Sequence, residues 1–269
     1  NKIDLAFKVL DALGTPERSI APVRLTPELE DCVEGADLVL ENVPEDISVK
    51  LPLFKELEKL VSAGCVLASD SSGIPVSKLQ DGLDHPGRFI GMHWSNPPHI
   101  IPMIEVIAGK KTDMHVVDWL MKLIRDLGLI PVFVQKDIPG FVENRVLYAL
   151  LRECVDLVEQ GVIDPVDLDT CVSWGIGYKL SVIGPMALLD MAGLDIYEAV
   201  GTYLNKDLCH RDDVSSLIKD KTKAGKLGIK SGDGLFSYTN DQVKTLPAER
   251  ARALVAVRKA LDSSTSGKA

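Results

Sequence analysis

The sequence has few cysteines and none of them are paired by spacing. Cys32, Cys65, Cys154, Cys171 and Cys209 are scattered and odd in number among 269 residues. No C-x-x-C pair occurs, which argues against a disulfide framework and against a thiolate zinc site. The thiols are expected to be buried and the protein cytoplasmic. Basic charge is also short: 30 Lys and Arg face 39 Asp and Glu, a net charge of −9. Phosphate contacts need clustered Lys and Arg, so nucleic acid and anionic membrane are poor partners. No apolar run reaches the ~18 residues of a membrane span. Asn1-Lys2-Ile3-Asp4 lacks the basic-then-apolar order of a signal peptide. A G-x-G-x-x-G turn between strand and helix is missing too. Gly175-Ile176-Gly177 falls in a helical stretch and Gly232-Asp233-Gly234 near the end, so neither has the strand-to-helix context that a dinucleotide loop requires.

What remains is an ordinary globular composition, 46% hydrophobic and 26% charged. At roughly 150 residues per domain, the length suggests about two domains. Asn1 to Gly14 carries Ile3, Phe7, Leu10 and Leu13 at helical spacing and closes on glycine. Strands are expected at Ala36 to Glu41, Cys65 to Ala68, Arg88 to His93, Met103 to Ile107 and Leu129 to Val134. Helices fall between them. One follows the cap Asp46, with Val49, Leu53, Leu57 and Leu60 on one face. A short one lies around Pro75 to Leu79, and another covers Thr112 to Gly128. This alternation predicts a parallel sheet covered on both faces. After Lys136-Asp137-Ile138-Pro139-Gly140 it stops. Phe141 to Gln160, a helix capped by Asp164 with Pro165 at its first position, Pro185 to Ala192, Leu194 to Leu204, Asp212 to Lys223 and Pro247 to Asp262 are all helical in pattern. The expected division is an α/β domain over 1–138, an all-α domain over 139–262 and a disordered tail over 263–269.

Candidate chemistry sits at strand ends, where open α/β sheets bind ligands. His93 ends an apolar strand and opens onto Trp94-Ser95-Asn96-Pro97-Pro98, a loop stiffened by two prolines. Glu105 lies twelve residues on, inside Ile104-Glu105-Val106-Ile107. A carboxylate there is costly unless it is paired or faces water. Paired with His93, it would orient the imidazole and support its protonated form. Ser69-Asp70-Ser71-Ser72-Gly73 follows another strand; its hydroxyls could bind a substrate oxygen or cap the next helix. Gly140-Phe141-Val142-Glu143-Asn144-Arg145 opens the long helix, with Asn144 in its first turn and Arg145 either solvated or binding. Glu45 and Lys50 flank the start of the helix after Glu41, a position near a cofactor or simply an ordinary helix start.

Taken in order, these motifs resemble the 3-hydroxyacyl-CoA dehydrogenase family. The strand–Glu–helix segment matches Glu41 to Phe54, the Ser-rich turn Ser69 to Ile74, and the His-x-x-Asn-Pro loop His93 to Pro97. The Val-Glu-Val strand matches Ile104 to Ile107, and Gly-Phe-x-x-Asn-Arg matches Gly140 to Arg145. Gly225-Lys226-Leu227-Gly228-Ile229-Lys230-Ser231-Gly232-Asp233-Gly234-Leu235-Phe236 is similar to the family's Gly-rich segment before the last helix. The resemblance runs over roughly residues 24 to 240. It implies a Rossmann domain followed by a helical domain that forms a homodimer, with NAD as cofactor. It implies His93 as general base in oxidation and acid in reduction, with Glu105 as its paired carboxylate. Ser72 and Asn144 would hydrogen-bond the substrate oxygen, Asn96 would support the His loop, and Glu45 and Lys50 would line the NAD site. The first βαβ unit, which carries the pyrophosphate loop, is expected to be missing.

Two substitutions flank the implied pocket: Trp94-Ser95 stands where the family has its aromatic pair, and Gly73 replaces a second Ser. Gly91 to Gly109 and Asp137 to Asp190 are most similar to a subgroup that oxidises 5-formyl-3-hydroxy-2-methylpyridine-4-carboxylate, an intermediate of vitamin B6 breakdown. There Arg145 is a candidate for the ring carboxylate, since a guanidinium pairs with one bidentately. The expected substrate is therefore an acyl-CoA or this pyridine aldehyde. Family relatives also serve as crystallins, which leaves a non-catalytic structural role as an alternative of another class.

Overall fold

The computed structural model describes residues 2–14 and 23–265, with side chains described over 7–14 and 23–263. The chain divides after Val146 into two compact units. The first begins with helix α1 (Lys2–Leu13), closed by Gly14 at φ 74°. Then come α2 (Leu29–Val33), β1 (Leu38–Glu41), α3 (Ile47–Leu60), β2 (Val66–Ser69) and α4 (Val76–Leu79). β3 (Phe89–Trp94), β4 (Met103–Ile107), α5 (Met114–Asp126) and β5 (Ile130–Val134) complete it. The five strands form one sheet in sequence order. This is the Rossmann-like α/β architecture expected, with one departure from a fully parallel sheet. β4 runs antiparallel to β3, while the other pairs are parallel. Only residues 95–102 join β3 to β4, too few for the dozen or more residues of a parallel crossover.

Alternating side chains give the sheet two cores. Phe89, Leu67 and Ile107 pack with Phe54, Leu57, Val76 and Leu79 on one face. Ile90, Met92, Ile104 and Val106 pack with Val116, Val117, Leu120 and Ile124 of α5 on the other. Each fully buried large side chain contributes roughly 1.5–3 kcal/mol. Asp46 caps α3 by accepting the Ser48 N–H at 2.8 Å. The buried stripe of that helix runs Lys50, Phe54, Leu57. Val49, expected on the core face, is exposed. The helix is turned because the carboxylate of Glu41 holds the Lys50 ammonium inside, as described below.

The second unit is helical. Helix α6 (Glu143–Glu159) enters it from the first unit, and α7 (Pro165–Thr170) follows with Asp164 as cap and Pro165 at the first position. A π-helical run, Cys171–Gly177, leads into α8 (Tyr178–Leu180). α9 (Pro185–Ala192), α10 (Leu194–Leu204), α11 (Ser216–Lys223) and α12 (Asn240–Thr265) complete it. Glu159, the last residue of α6, gathers the Ser216 hydroxyl, the Leu217 N–H and Arg211, which hold its carboxyl down at about 2. In the Gly-rich segment a Cβ on Gly234 would meet the Gly228 backbone at 2.6 Å, so the two loop strands approach as only glycine allows.

Three details depart from expectation. α6 starts after Phe141, whose φ of 46° is left-handed and breaks the helix there. α12 begins at Asn240, not at Pro247, because Thr239 and Gln242 form a reciprocal capping box: Thr239 N–H to Gln242 Oε1 at 2.8 Å, and Gln242 N–H to Thr239 Oγ1 at 3.2 Å. That helix continues to Thr265, through the first three residues of the expected tail; residues 266–269 lie outside the described residues. The expectation of buried thiols is also corrected: Cys32 and Cys171 are exposed. Among the described residues, no single helix is long and apolar enough to cross a membrane.

Candidate active site

The site is assembled on β3 and β4. Their antiparallel register sets His93 directly across from Glu105. Directly opposed residues on one sheet face bring their side chains into contact. His93 Nδ1 lies 2.8 Å from Glu105 Oε2, with His93 6% and Glu105 1% exposed. The second Glu105 oxygen accepts the N–H groups of Val142 and Glu143 at 3.0 and 3.1 Å. These belong to the start of α6, whose backbone donors favour an anion. Gly140 at φ 76° and Phe141 at φ 46° turn the chain so that those donors meet Glu105. Backbone held in this sparsely populated region costs about 1–3 kcal/mol and marks a site where position matters. The buried Phe141 ring stands 6.0 Å from the imidazole.

The electrostatics follow from these contacts. Burial by itself would lower the proton affinity of His93. The Glu105 hydrogen bond and charge, with Glu143 and Asp70 behind them, outweigh it and hold the imidazole above its ordinary range. Burial would raise Glu105, but the His93 hydrogen bond and the two N–H groups keep it below the ordinary carboxylate range. Asp70 is pushed up by burial against the hydrogen bond from the Trp94 N–H at 2.8 Å. With Nδ1 on Glu105, Nε2 is the ring nitrogen left for chemistry.

Ser72 and Asn144 are brought together: Asn144 Nδ2 donates to the Ser72 carbonyl at 2.8 Å. The Ser71 hydroxyl is turned inward to Glu45, whereas the Ser72 hydroxyl has no hydrogen-bond partner among the described residues. Asn96 is itself exposed, in the loop after β3, and precedes Pro97. Arg145 is exposed, its guanidinium 3.4 Å from the Pro139 carbonyl.

Glu45 and Lys50 form a second cluster at the ends of β1 and β2. Glu45 accepts from Ser71 Oγ and from the N–H groups of Ser72, Gly73 and Ile74. Burial would raise its carboxyl, but these bonds and Lys50 bring it below the usual range. Lys50 is 1% exposed and faces Glu41 at 2.7 Å, the Val43 carbonyl at 3.2 Å and Glu45 at 3.5 Å. Its donors are thus taken up inside the protein. Glu41, itself buried, also accepts from Ser69 Oγ at 2.7 Å and Val43 N–H at 2.6 Å. The Lys50–Glu41 ion pair is not evident from the sequence, where both residues read as parts of an ordinary strand end and helix start.

Sequence reasoning also passed over Glu143. One of its oxygens accepts from Ser95 Oγ at 2.7 Å; the other, Oε2, is buried with no hydrogen-bond partner. A His93 ring nitrogen and oxygens of Glu105 and Glu143 lie within 4.8 Å of one another. The signal was present: an acid next to Asn144 in the first turn of a helix whose other first-turn groups carry the motif.

The family model for the 3-hydroxyacyl-CoA dehydrogenase NAD binding domain matches residues 10–138, and that for the C-terminal domain matches 140–238. The chain belongs to the 3-hydroxyacyl-CoA dehydrogenase family. It is an NAD-dependent dehydrogenase acting on a small molecule. It is 62% identical to a 5-formyl-3-hydroxy-2-methylpyridine 4-carboxylate 5-dehydrogenase of Mesorhizobium japonicum, over 97% of this chain and 85% of the relative. A probable 3-hydroxybutyryl-CoA dehydrogenase of Deinococcus radiodurans is 35% identical over 86% of this chain and 81% of its own. Among solved structures, that of a 5-formyl-3-hydroxy-2-methylpyridine 4-carboxylic acid 5-dehydrogenase, an NAD+ dependent dismutase, superposes with a TM-score of 0.93. Its identity is 61%, over 97% of this chain and 85% of that one.

Proposed function

We propose that this dehydrogenase oxidises a carboxylated pyridine aldehyde of the 5-formyl-3-hydroxy-2-methylpyridine-4-carboxylate type, as its hydrate, to the dicarboxylate. The observation that carries this reading is the 62% identity, over nearly the whole chain, to a relative that bears this name. NAD, when bound, supplies the hydride acceptor. The residues present suit the nicotinamide end of such a cofactor: the C-terminal ends of β1, β2 and β3 converge on polar groups, and Ser72 keeps an uncommitted hydroxyl. Glu45, whose side chain is 43% exposed, would face the cofactor, with Lys50 holding it from behind.

In this mechanism neutral His93 takes a proton from a hydroxyl of the hydrate at Nε2. Glu105 holds the ring by Nδ1 and stabilises the imidazolium that forms. Ser72 and the second N–H of Asn144 hold the substrate oxygen, and Asn96 steadies the loop that carries His93. Arg145 pairs with the ring carboxylate. The chain's first 138 residues serve the cofactor. Residues 139–262 serve substrate binding and a homodimer, and the enzyme works in the cytoplasm, where free thiols persist. Support for the dimer comes from the second unit: from Leu147 on, no described hydrophobic side chain is buried, and Trp174, Tyr178, Met186 and Met191 are 67–77% exposed. Apolar surface on that scale marks an interface.

Steady-state assays with the pyridine aldehyde and NAD, and with acetoacetyl-CoA and NADH, test the substrate. Turnover of the aldehyde with kcat/KM at least tenfold above the CoA substrate is expected. The reverse ranking overturns the reading in favour of a 3-hydroxyacyl-CoA. Arg145→Leu should raise KM for the aldehyde about tenfold with kcat little changed; an unaltered KM removes Arg145 from the carboxylate site.

A further inference from the structure

We propose that Glu143 is a second catalytic carboxylate that adds water to the aldehyde before oxidation. The proposal rests on the aldehyde reading above. A 3-hydroxyacyl substrate presents one hydroxyl, and one base beside it suffices. An aldehyde must first become a gem-diol, and a second group that takes a proton from water speeds that step. The structure supplies one such group. Glu143 Oε1 is held by the Ser95 hydroxyl at 2.7 Å, its backbone N–H is held by Glu105 at 3.1 Å, and its Oε2 is buried without a partner. A buried carboxylate oxygen without a hydrogen-bond partner is costly, and a bound water or substrate group would relieve that cost. A carboxylate oxygen of Glu143 lies within 4.8 Å of a His93 ring nitrogen and of a Glu105 oxygen, so Glu143 stands beside the group that handles the proton.

The step balances without the cofactor. Glu143 removes a proton from water as the water oxygen bonds to the aldehyde carbon. The C=O π electrons move to the carbonyl oxygen, which takes the proton from the imidazolium of His93. The product is the gem-diol, with Glu143 protonated and His93 neutral, the form needed to take the hydroxyl proton in the oxidation that follows. Glu143 then returns its proton to solvent. Three acids face His93: Glu105 from β4, Glu143 from α6 and Asp70 from the loop after β2. They keep the imidazolium populated for the hydration step.

Glu143→Gln keeps the acceptor for Ser95 and removes the base. Rates are compared as pH-independent plateaus, because loss of this charge also moves His93. In the NAD-loaded protein, oxidation of the pyridine aldehyde should fall by about a hundredfold, in the range of lost acid–base catalysis. Reduction of the same aldehyde by NADH needs no added water and should change by less than about threefold. Equal losses in both directions, or none in either, overturn the role of Glu143. A wild-type protein that does not oxidise the aldehyde overturns the substrate reading instead. Should Glu143→Gln unfold, which its melting curve shows, Ser95→Ala is the second variant. It frees the carboxylate to swing and should give a smaller loss confined to oxidation; a loss shared by reduction counts against the proposal.

Discussion

The sheet unit buries Phe54, Leu67, Phe89, Ile104 and Leu120 completely, whereas the helical unit buries no hydrophobic side chain among its described residues. The polar interiors differ as well. The sheet unit takes an ion pair, Lys50–Glu41, and the dyad His93–Glu105 inside, each with its remaining oxygens bonded. The helical unit keeps its main ionic hub, Arg211 with Glu159, Asp156 and Asp213, near solvent. A unit that fills its own core can commit buried charge to a site. A unit that leaves its apolar residues outside needs another surface to cover them. The contrast therefore predicts that damage to the sheet unit is local and independent of concentration, and that the stability of the helical unit depends on association.

His93→Gln should lower kcat for oxidation by about a thousandfold, roughly 4 kcal/mol in the barrier, with the fold intact by circular dichroism. Activity within tenfold of wild type would remove His93 from the chemistry. Lys50→Met leaves Glu41 buried and unpaired and should cost about 3–5 kcal/mol in denaturant unfolding, at any protein concentration. Adding Glu41→Leu should recover much of it. Trp174→Asp should raise the dimer dissociation constant by at least about thirtyfold in sedimentation equilibrium, as for an interface aromatic worth about 2 kcal/mol. A wild-type chain that sediments as a monomer contradicts the expected homodimer outright.

Glu105→Gln tests the dyad through pH. The raised His93 contributes stability that is fully present below its ordinary 6.5 and lost as pH rises through its folded value. The depressed Glu105 contributes stability present above its ordinary 4.5 and lost as pH falls through its folded value. The melting difference between wild type and variant should then be largest between about pH 4.5 and 6.5 and shrink on either side. The acid limb of the oxidation profile should move to lower pH, because the variant imidazole loses its partner. Asp164→Ala, which strips the cap of α7, should cost only about 1 kcal/mol.

Much of the fold was legible because periodicity reports burial. Five strands and the helices between them follow from short apolar runs and 3.6-residue spacing, and they appear within a residue or two of where the pattern puts them. What misled was the placement of charge. Lys50 reads as a cofactor-lining residue or part of an ordinary helix start, yet it is buried against a carboxylate nine residues away on another element. Glu143 is passed over for the same reason: Ser95, which holds it, is 48 residues away.

The amino-acid order by itself determined that His93 ends a strand and that Glu105 sits in an apolar one; it did not show that these two strands run antiparallel. It also determined the helix start at which Glu143 and Asn144 stand. Only the tertiary structure decided the register that sets His93 across from Glu105, and the left-handed turn at Gly140 and Phe141 that aims two N–H groups at that carboxylate. Local spacing specifies which way a side chain points along its own element. Which charges meet is settled by packing between elements, where an unpaired buried charge costs more than any local preference contributes.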